Sequence, residues 1–484
     1  MGFPLTIVIV GAAGDLTARK LVPALLRLHR KGRLPRPTRI VGLSRRRLSH
    51  DEFRQQLEDV ARQVSPEFDA AGWSEFAPHI EYVSADTVAP GGVRPLLDWL
   101  TEKERGLPAD RLYYLSVRPD IYPPIVRQFG AVGLTREETG GPFRRLIVEK
   151  PFGRDRAGAV ELNRILHEQF AESQIYRIDH YLGKETVQNI LVFRFANTLF
   201  EPLWNCEHID HVQLTVAEAQ DVGHRGETYE QSGVIRDMFQ SHLLQVMALT
   251  AMAAPASLRA DDLRNEKKRV LDAIPVYDPI EAVKYVRLGQ YRGYRGSSGV
   301  AADSRVPTFA AVRMSVNNDR WRGVPFYLRS GKALPSRVSE VVIQFRRPSR
   351  TLFSKTSDIL SGNRLTLRIQ PNEGIHLGFQ VKRPDTLDGV KLDTGDMAFD
   401  YATTFGKGAI PEAYERLILD AIHGDASLFM RSDEIERAWE IIDPLVAATE
   451  QPATPPPMEY TPGSWGPACA DALLADEGRT WQNQ

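Results

Sequence analysis

A short, uninterrupted apolar run opens the pattern of hydrophobic and polar positions along the chain. Residues 5–10 (LTIVIV) are rich in β-branched residues, which is typical of a strand buried on both faces of a parallel sheet. Similar strands, separated by helical stretches, are predicted at residues 38–44, 111–117 and 144–150. This alternation predicts a doubly wound α/β domain over residues 1–178.

The pattern changes from Asp179 onwards. Long amphipathic helices are predicted over residues 179–197 and 233–252, with a strand at 208–218 between them. Later runs of strand character lie at residues 310–316, 324–330, 339–345, 363–370 and 375–381. This number of strands predicts a large, mainly antiparallel sheet. Residues 179–484 are therefore expected to form an α+β domain for substrate binding and oligomerisation.

Charge and cysteine content narrow the classes of partner. The chain of 484 residues has 61 basic and 62 acidic side chains and a net charge of −1, which does not favour nucleic acid or a membrane surface as a partner. Its two cysteines, Cys206 and Cys469, are far apart, so no disulfide framework is expected. With no leader-like or membrane-spanning apolar run, a cytoplasmic protein is predicted.

A glycine-containing turn follows the first strand. Gly11 and Gly14 permit a tight turn into a helix whose N-terminus suits a pyrophosphate, as in Rossmann-like domains. The match to GxGxxG is imperfect, since Ala13 and Leu16 fall on its second and third glycines, and a plain strand-to-helix turn fits the spacing equally well.

The end of the second strand decides between these alternatives. Arg45, Arg46 and Arg47 stand where NAD-binding domains have an acid for the ribose 2′-hydroxyl. Guanidinium groups bind a 2′-phosphate instead, so the predicted coenzyme is NADP. Without the glycine turn, a solvated charge run would be the better interpretation.

The segment RIDHYLGKE, residues 177–185, is the most informative for chemistry. It places Asp179 beside His180 at the start of the predicted helix. On a helix, His180 and Lys184 would share a face and suit a phosphate dianion. A metal site is not predicted at the other acid and histidine cluster, EHIDH, because His211 would point away from His208 and Asp210. That strand is predicted to be solvated.

Together with EKPFG at residues 149–153, this segment closely resembles the signature of the glucose-6-phosphate dehydrogenase family. The resemblance continues through GAAGDL, YLSV, FRFANTLFEPLWN, IDHVQLTVAE, RDMFQSH, GVPFYLRSGKAL, QPNEG and the late GSWGP. It implies NADP-linked oxidation of glucose 6-phosphate at C1 to 6-phosphogluconolactone. It also implies a homodimer or homotetramer joined through the large sheet.

The resemblance also assigns roles to individual residues. His242 matches the general base and Asp179 the carboxylate behind it, a pair whose chemistry suits loss of the C1 hydroxyl proton. Asp237 and His242 would lie about 140° apart on an α-helix, on different sides of the sugar. The expected substrate-binding residues are Lys20, Lys150, His180, Tyr181, Lys184, Glu218, Asp237, Lys332, Arg337 and, more weakly, Gln370. The expected coenzyme-binding residues are Gly11, Ala12, Gly14, Asp15, Leu16, Ser44, Arg45, Arg46 and Lys150.

Three departures from the family pattern leave alternatives open. Arg118 follows YLSV where proline is common, Ser241 replaces asparagine before His242, and Ala219, Gln220 and Asp221 follow Glu218. The first concerns contacts with the coenzyme, and the other two flank the expected sugar pocket. A family member acting on another aldohexose 6-phosphate, such as a C2-amino or N-acetylamino sugar, therefore remains an alternative. A non-catalytic NADP-binding protein is a third, which the retained Asp179, His180, Lys184 and His242 disfavour.

Overall fold

The computed structural model describes residues 3–64, 68–348, 361–384, 390–451 and 454–483. The chain divides into two compact units. The first comprises Met1–Gly183, Ala256–Arg264 and Pro411–Glu436, and the second comprises Lys184–Pro255, Asn265–Ile410 and Arg437–Gln484.

The first unit is built on a seven-stranded sheet. Its strands are β1 (Leu5–Val10), β2 (Thr38–Ser44), β3 (Ile80–Ser84), β4 (Asp110–Leu115), β5 (Arg144–Glu149), β6 (Ile175–Ile178) and β15 (Phe429–Met430). Their order is β15-β6-β5-β4-β1-β2-β3, and every pairing is parallel except that of β15 with β6. The order 3-2-1-4-5-6 of the first six strands is that of a dinucleotide-binding fold.

Helices follow the strands of this sheet, as parallel crossovers require. They are α1 (Val22–Arg30), α2 (His50–Val64), α3 (Ala70–Phe76), α4 (Arg94–Glu104), α5 (Tyr122–Ala131), α6 (Arg156–His167) and α13 (Ala413–His423). Every residue of β1 is buried, because β2 and β4 pair with its two edges and helices cover a parallel sheet.

The second unit is built on a nine-stranded sheet. Its strands are β7 (Ile209–Ala217), β8 (Val286–Tyr291), β9 (Phe309–Ser315), β10 (Pro325–Gly331), β11 (Val338–Phe345), β12 (Arg364–Gln370), β13 (Gly374–Lys382), β14 (Leu392–Asp400) and β16 (Met458–Tyr460). Their order is β14-β13-β12-β11-β7-β10-β9-β8-β16. Two pairs, β7 with β10 and β8 with β16, are parallel, and the others are antiparallel.

The helices of this unit are α7 (Glu185–Phe195), α8 (Gly226–Val234), α9 (Leu244–Ala251), α11 (Pro279–Ala282), α12 (Tyr401–Phe405) and α15 (Ala468–Ala475). Two helices have residues in the ranges of both units, α10 (Ala260–Asp272) and α14 (Ser432–Glu450). Two π-helical segments occur in the described chain, Thr17–Leu21 in the first unit and Ile235–Leu243 in the second. Short 3₁₀ turns lie at Ala77–His79, Pro119–Ile121, Glu172–Gln174, Glu201–Leu203, Gly223–Arg225, Val283–Tyr285 and Tyr294–Gly296.

The C-terminal end of α9 is fixed by two buried tryptophans. The indole N–H of Trp204 donates to Thr250 O at 2.8 Å, and that of Trp321 donates to Ala251 O at 2.7 Å. Both tryptophans are fully buried. They satisfy carbonyl groups that the end of a helix leaves without an intrahelical donor, so these hydrogen bonds fix the C-terminal end of α9.

The division into units differs from the predicted domains, 1–178 and 179–484. The break in the chain falls at 183/184, and residues 411–436 belong to the first unit. The physical reason is pairing: β15 completes the edge of β6, where Phe429 pairs with Ile178. A two-residue strand far along the sequence carries no signal of its partner.

Candidate functional site

The glycine turn after β1 needs glycine at its first position. Gly11 has φ +85°, and a Cβ atom there would lie 2.2 Å from Ser116 O. Its carbonyl accepts from Gly14 N at 3.0 Å. The backbone at Gly11 therefore lies close to that at Ser116, and the chain turns tightly into a helix. This turn contains Gly11, Ala12, Gly14, Asp15 and Leu16, and its geometry suits a pyrophosphate.

The end of β2 presents basic side chains. Arg45, Arg46 and Arg47 are exposed, and none of them forms an ion pair within the described ranges. Ser44 is held by Tyr82, whose hydroxyl lies 2.6 Å from Ser44 Oγ and donates to Arg46 O at 2.8 Å. The turn is therefore fixed while its guanidinium groups remain available to an anion, which fits the 2′-phosphate of NADP.

Lys20 lies in the π-helical segment that follows the glycine turn. Its ammonium group is 3.2 Å from Glu412 Oε1, and both side chains are about half exposed. An exposed pair of this kind contributes little to stability, so Lys20 is not committed to Glu412.

Glu149 and Lys150 stand at the carboxyl end of β5, the edge where parallel sheets bind ligands. The Lys150–Pro151 peptide is cis. Tyr114 donates its hydroxyl to Glu149 Oε1 at 2.5 Å, and Tyr122 contacts the backbone of Glu149. Burial raises the pKa of Glu149 to about 7, while hydrogen bonds from Tyr114 and Tyr414 lower it.

The segment after β6 is a turn and not the predicted start of a helix. Asp179 Oδ1 accepts from Tyr181 N at 2.9 Å, and Asp179 O accepts from Leu182 N at 3.0 Å. A carboxylate that captures a backbone N–H two residues on favours a turn over a helix. Asp179 is fully buried and Tyr181 nearly so, while the His180 ring packs 5.2 Å from that of Tyr181.

Helix α7 consequently begins one residue after Lys184, which is its extended N-cap with φ −77° and ψ 129°. The expectation that His180 and Lys184 share one helical face is therefore wrong. Lys184 instead donates to Gln370 Oε1 at 2.8 Å.

Gln370 accepts hydrogen bonds from two cationic side chains. Its side-chain oxygen also accepts from Arg337 at 3.4 Å, and its amide nitrogen donates to the buried Ser339 at 3.1 Å. Two positively charged donors thus converge on one neutral acceptor, and donors of this kind suit a phosphate group. The weakest of the predicted substrate residues thus organises two of the others.

Glu218 and Lys332 form an ion pair in the second unit. The pair joins Lys332 Nζ to Glu218 Oε2, and Lys332 is buried with 4% exposure. The hydroxyl of Tyr460 donates to Lys332 O at 2.6 Å. The Lys332 ammonium also lies 5.1 Å from the centre of the Tyr229 ring.

Tyr229 lies near both this ion pair and Asp237. Burial is the main cause that raises the pKa of Tyr229 well above its usual value, and the negative charges of Asp237 and Glu218 add to it. The phenol therefore stays protonated as a neutral donor among acids. Tyr229 was not predicted from the sequence, because Glu218 and Lys332, which lie near it, come from other elements of the fold.

The segment that carries His242 is π-helical. Residues Ile235–Leu243 have this geometry, in which backbone bonds join positions five apart. Asp237 and His242 are therefore neighbours on successive turns, and the predicted 140° separation is wrong. His242 is buried with 2% exposure, and Ser241 donates to Asp237 O at 3.5 Å.

The strand containing Asp210 and His211 also differs from expectation. His211 is 5% exposed, and its Nδ1 lies 2.7 Å from Asp210 Oδ2. Arg479 donates to both oxygens of Asp210. The hydrogen bond with His211 and the contacts with Arg479 hold the pKa of Asp210 well below its usual value, although burial acts in the opposite direction. His208 is exposed, but the prediction of a solvated strand is wrong for Asp210 and His211, because β7 lies between two strands and the C-terminal segment covers these two residues.

Within the described ranges, the helices include none with the length and apolar character needed to cross a membrane.

Comparison with known families agrees with this arrangement. Residues 8–189 match the family model described as the NAD binding domain of glucose-6-phosphate dehydrogenase, and residues 191–482 match that of its C-terminal domain. This chain belongs to the glucose-6-phosphate dehydrogenase family. The predicted family, oxidoreductase class and coenzyme-binding domain are confirmed.

Relatives in this family match along nearly the whole chain. Glucose-6-phosphate 1-dehydrogenase of Rhizobium meliloti is 41% identical and covers 99% of this chain and 98% of its own. The enzyme of Mycolicibacterium smegmatis is 40% identical and covers 99% and 97%.

Solved structures of the family share the fold. A glucose-6-phosphate dehydrogenase in complex with its substrate glucose-6-phosphate has a TM-score of 0.90 at 35% identity, with full coverage of both chains. The enzyme from Mycobacterium avium has a TM-score of 0.84 at 34% identity and covers 99% of this chain and 98% of its own. The predicted fold class, a doubly wound domain followed by a mainly antiparallel one, is confirmed.

Proposed function

We propose that this chain oxidises glucose 6-phosphate at C1 to 6-phosphogluconolactone and reduces NADP to NADPH. The observation that carries this proposal is the convergence of Lys184 and Arg337 on Gln370, in a chain whose two halves match this family. Binding of the 6-phosphate by the two cations fixes the far end of the sugar, so that C1 is presented for reaction.

The reaction removes a proton and a hydride from the substrate. His242 accepts the proton of the C1 hydroxyl, and Asp179 is proposed as the carboxylate that stabilises the resulting imidazolium. The oxidised nicotinamide, when bound, accepts the hydride from C1. Glu218 and Asp237 accept hydrogen bonds from sugar hydroxyls, and Lys332 offsets the charge of Glu218.

The remaining predicted residues have proposed binding roles. His180 and Tyr181 contribute donors to the phosphate, while Lys20 and Lys150 contribute positive charge near substrate and coenzyme. The glycine turn and the exposed Arg45 and Arg46 support NADP as the coenzyme.

Two of the departures from the family pattern, at Gln220 and Ser241, do not favour an amino-sugar substrate. The side chain of Gln220 is exposed, and the backbone carbonyl of this residue accepts from Ala333 N at 3.0 Å. The hydroxyl of Ser241 donates to Asp237 O within its own helix. The third, Arg118, is exposed and pairs with Asp120 at 3.0 Å, as a surface residue would.

The test is NADPH formation with purified full-length protein and a panel of glucose 6-phosphate, glucose, glucosamine 6-phosphate and its N-acetyl form. We expect the highest kcat/KM with glucose 6-phosphate, and a preference over both amino sugars of at least three orders of magnitude, about 4 kcal/mol. Preference for an amino sugar would favour the alternative substrate. No turnover with any sugar phosphate, despite NADP binding by calorimetry, would favour a binding protein.

We also propose a cytoplasmic homodimer or homotetramer joined through the large sheet. Both cysteines are free, as in a reducing compartment. The edge strand β14 exposes Met397 to 58%, and covering such a side chain in an interface is favourable. Light scattering after gel filtration measures the assembly, and cell fractionation measures the location.

A further inference from the structure

Glu218 and Lys332 follow the last residues of two neighbouring parallel strands. Gly331 of β10 pairs with Ala217 of β7, so the residue after each of them lies at the same edge of the large sheet. Lys332 is buried, whereas the side chain of its ion-pair partner Glu218 is 36% exposed. The carboxylate is therefore open to a ligand, and the ammonium group is enclosed.

The ring of Tyr229, on α8, lies beside this enclosed ammonium group. The ring centre is 5.1 Å from Lys332 Nζ. Tyr294 packs edge-on against Tyr229, with ring centres 6.2 Å apart and an interplanar angle of 76°. Tyr294 is itself fixed, because its hydroxyl donates to Glu230 Oε1 at 2.6 Å. The position of the Tyr229 ring next to the ion pair is therefore well defined.

The hydroxyl of Tyr229 differs from that of Tyr294 in its hydrogen bonding. Tyr229 is 6% exposed, and its hydroxyl oxygen is buried with no hydrogen-bond partner among the residues that the structure describes. A buried hydroxyl without a partner is unfavourable, and native proteins keep few of them. Burial, with the negative charges of Asp237 and Glu218, raises the pKa of Tyr229 well above its usual value, so this phenol is a neutral donor.

We propose that Tyr229 binds the substrate: its hydroxyl donates a hydrogen bond to a non-reacting hydroxyl group of the sugar, beside the exposed carboxylate of Glu218. This inference rests on the proposed function and adds a residue that determines specificity. The residues expected from the sequence to bind substrate do not include Tyr229.

The physical argument concerns what a sugar hydroxyl requires from its site. A hydroxyl group donates one proton and accepts through two lone pairs. The carboxylate of Glu218 can only accept, so it leaves the lone pairs of the same hydroxyl without a donor. The ammonium group of Lys332 is already paired with Glu218, whereas the phenol of Tyr229 supplies a donor without adding charge. A sugar that lacks this hydroxyl would leave both groups without a partner, which gives discrimination.

The experiment compares Tyr229→Phe with Tyr294→Phe, which removes the same hydroxyl from the adjacent ring. Calorimetry on the full chain measures the Kd of glucose 6-phosphate, and urea unfolding measures stability. Tyr229→Phe should raise Kd roughly threefold to tenfold, the usual range for one neutral hydrogen bond, and leave the urea midpoint unchanged or higher. Tyr294→Phe should lower the urea midpoint, because Glu230 loses a donor, and leave Kd within about twofold.

Deoxy sugars identify the hydroxyl group that Tyr229 binds. The Kd values of 2-deoxy-, 3-deoxy- and 4-deoxyglucose 6-phosphate are measured for wild type and for Tyr229→Phe. The analogue that lacks the bound hydroxyl should have the same Kd for both proteins, because neither can form the hydrogen bond. The other two analogues should keep the roughly threefold to tenfold difference.

The outcomes separate this inference from the proposed function. An unchanged Kd for glucose 6-phosphate in Tyr229→Phe, with normal NADPH formation, overturns the role of Tyr229 and leaves the function intact. A lower urea midpoint or a loss of folding in Tyr229→Phe assigns the hydroxyl to stability, and equal differences for all three deoxy sugars separate the effect from any one hydroxyl; either result also overturns the inference. Absence of NADPH formation by wild type overturns the proposed function, whatever the Kd values.

Discussion

Replacement of Gly11 by alanine tests the tight turn through which the coenzyme is expected to bind. Gly11 has φ +85°, and the new Cβ would lie 2.2 Å from Ser116 O and 2.5 Å from Val117 Cγ1. Gly32 is the matched control, because it has φ +62° and a Cβ added there would meet no atom within 4 Å. Both substitutions strain the backbone, but only the first forces two strand ends apart.

The magnitudes follow from these contacts. An alanine in the left-handed region costs about 1–2 kcal/mol, partly offset by the lower entropy of the unfolded chain. Gly32→Ala should therefore lose about 1 kcal/mol of unfolding free energy. The contact with Ser116 should add roughly 1–3 kcal/mol, the usual cost of overpacking, in Gly11→Ala.

Urea unfolding followed by circular dichroism measures this difference, and calorimetry measures NADP binding. We expect Gly11→Ala to weaken NADP binding by at least roughly tenfold, a loss of about 1.4 kcal/mol, and Gly32→Ala to leave it within about twofold. Equal losses of stability in both variants, with NADP affinity unchanged in Gly11→Ala, would refute the requirement for a close backbone approach at this turn.

The other predictions concern single groups. His242→Asn should lower kcat at least roughly a hundredfold, the usual contribution of a general base, with substrate binding within a few-fold; unchanged turnover would remove it from the mechanism. Lys184→Met should weaken glucose 6-phosphate binding by roughly 1.5–3 kcal/mol, a charge-assisted hydrogen bond, and hardly affect glucose; equal losses for both sugars would contradict a phosphate contact. Neutral replacement of Arg45 and Arg46 together should raise KM for NADP far more than for NAD, and a wild type that prefers NAD would show the assignment to be wrong. Burial raises the pKa of Glu149 from 4.5 to about 7. The protonated carboxyl group therefore makes its full contribution to the free energy of unfolding below pH 4.5, and this contribution is lost as pH rises through 7. The free energy of unfolding of wild type, measured in urea, should therefore fall by roughly 3 kcal/mol relative to that of Glu149→Gln over that pH range. Parallel pH dependences of the two proteins would argue against the raised pKa.

The strands of the first unit were predictable because burial on both faces leaves a continuous apolar run. The predicted strands at 5–10 and 38–44 coincide with β1 and β2. Those at 111–117 and 144–150 differ from β4 and β5 by one or two residues at their ends. Such patterns are set by the local sequence and the sheet, so they survive in the folded chain.

The errors arose where distant or local polar contacts override periodicity. Residues 179–184 have helical spacing, but the Asp179 carboxylate holds Tyr181 N in a turn. The π-helical segment around His242 has no distinctive composition, so an ideal α-helix was the natural but wrong assumption. The prolines of residues 451–467 predict an irregular surface segment, yet residues 458–460 form β16, which pairs with β8.

For the candidate site, the sequence led to a list of expected residues, and it could not predict the contacts among them. The family motifs identified Lys184, Arg337 and Gln370 individually, but the shared acceptor is visible only when β12 and α7 are folded. Tyr229 and Tyr414 were missed because isolated tyrosines have no motif, and their importance comes from the acids around them.

The contribution of residues 411–436 to the first unit affects how the chain folds during synthesis and where it can be truncated. Glu415 on α13 binds both Arg27 and Lys31 near the end of α1, and β15 covers the open edge of β6. During synthesis, the coenzyme-binding unit therefore cannot reach its final form until the ribosome has translated most of the gene. An expressed fragment ending near residue 190 would leave β6 as a bare edge, a site for pairing with other chains, and is expected to aggregate even though its sequence spans the whole NAD-binding family model.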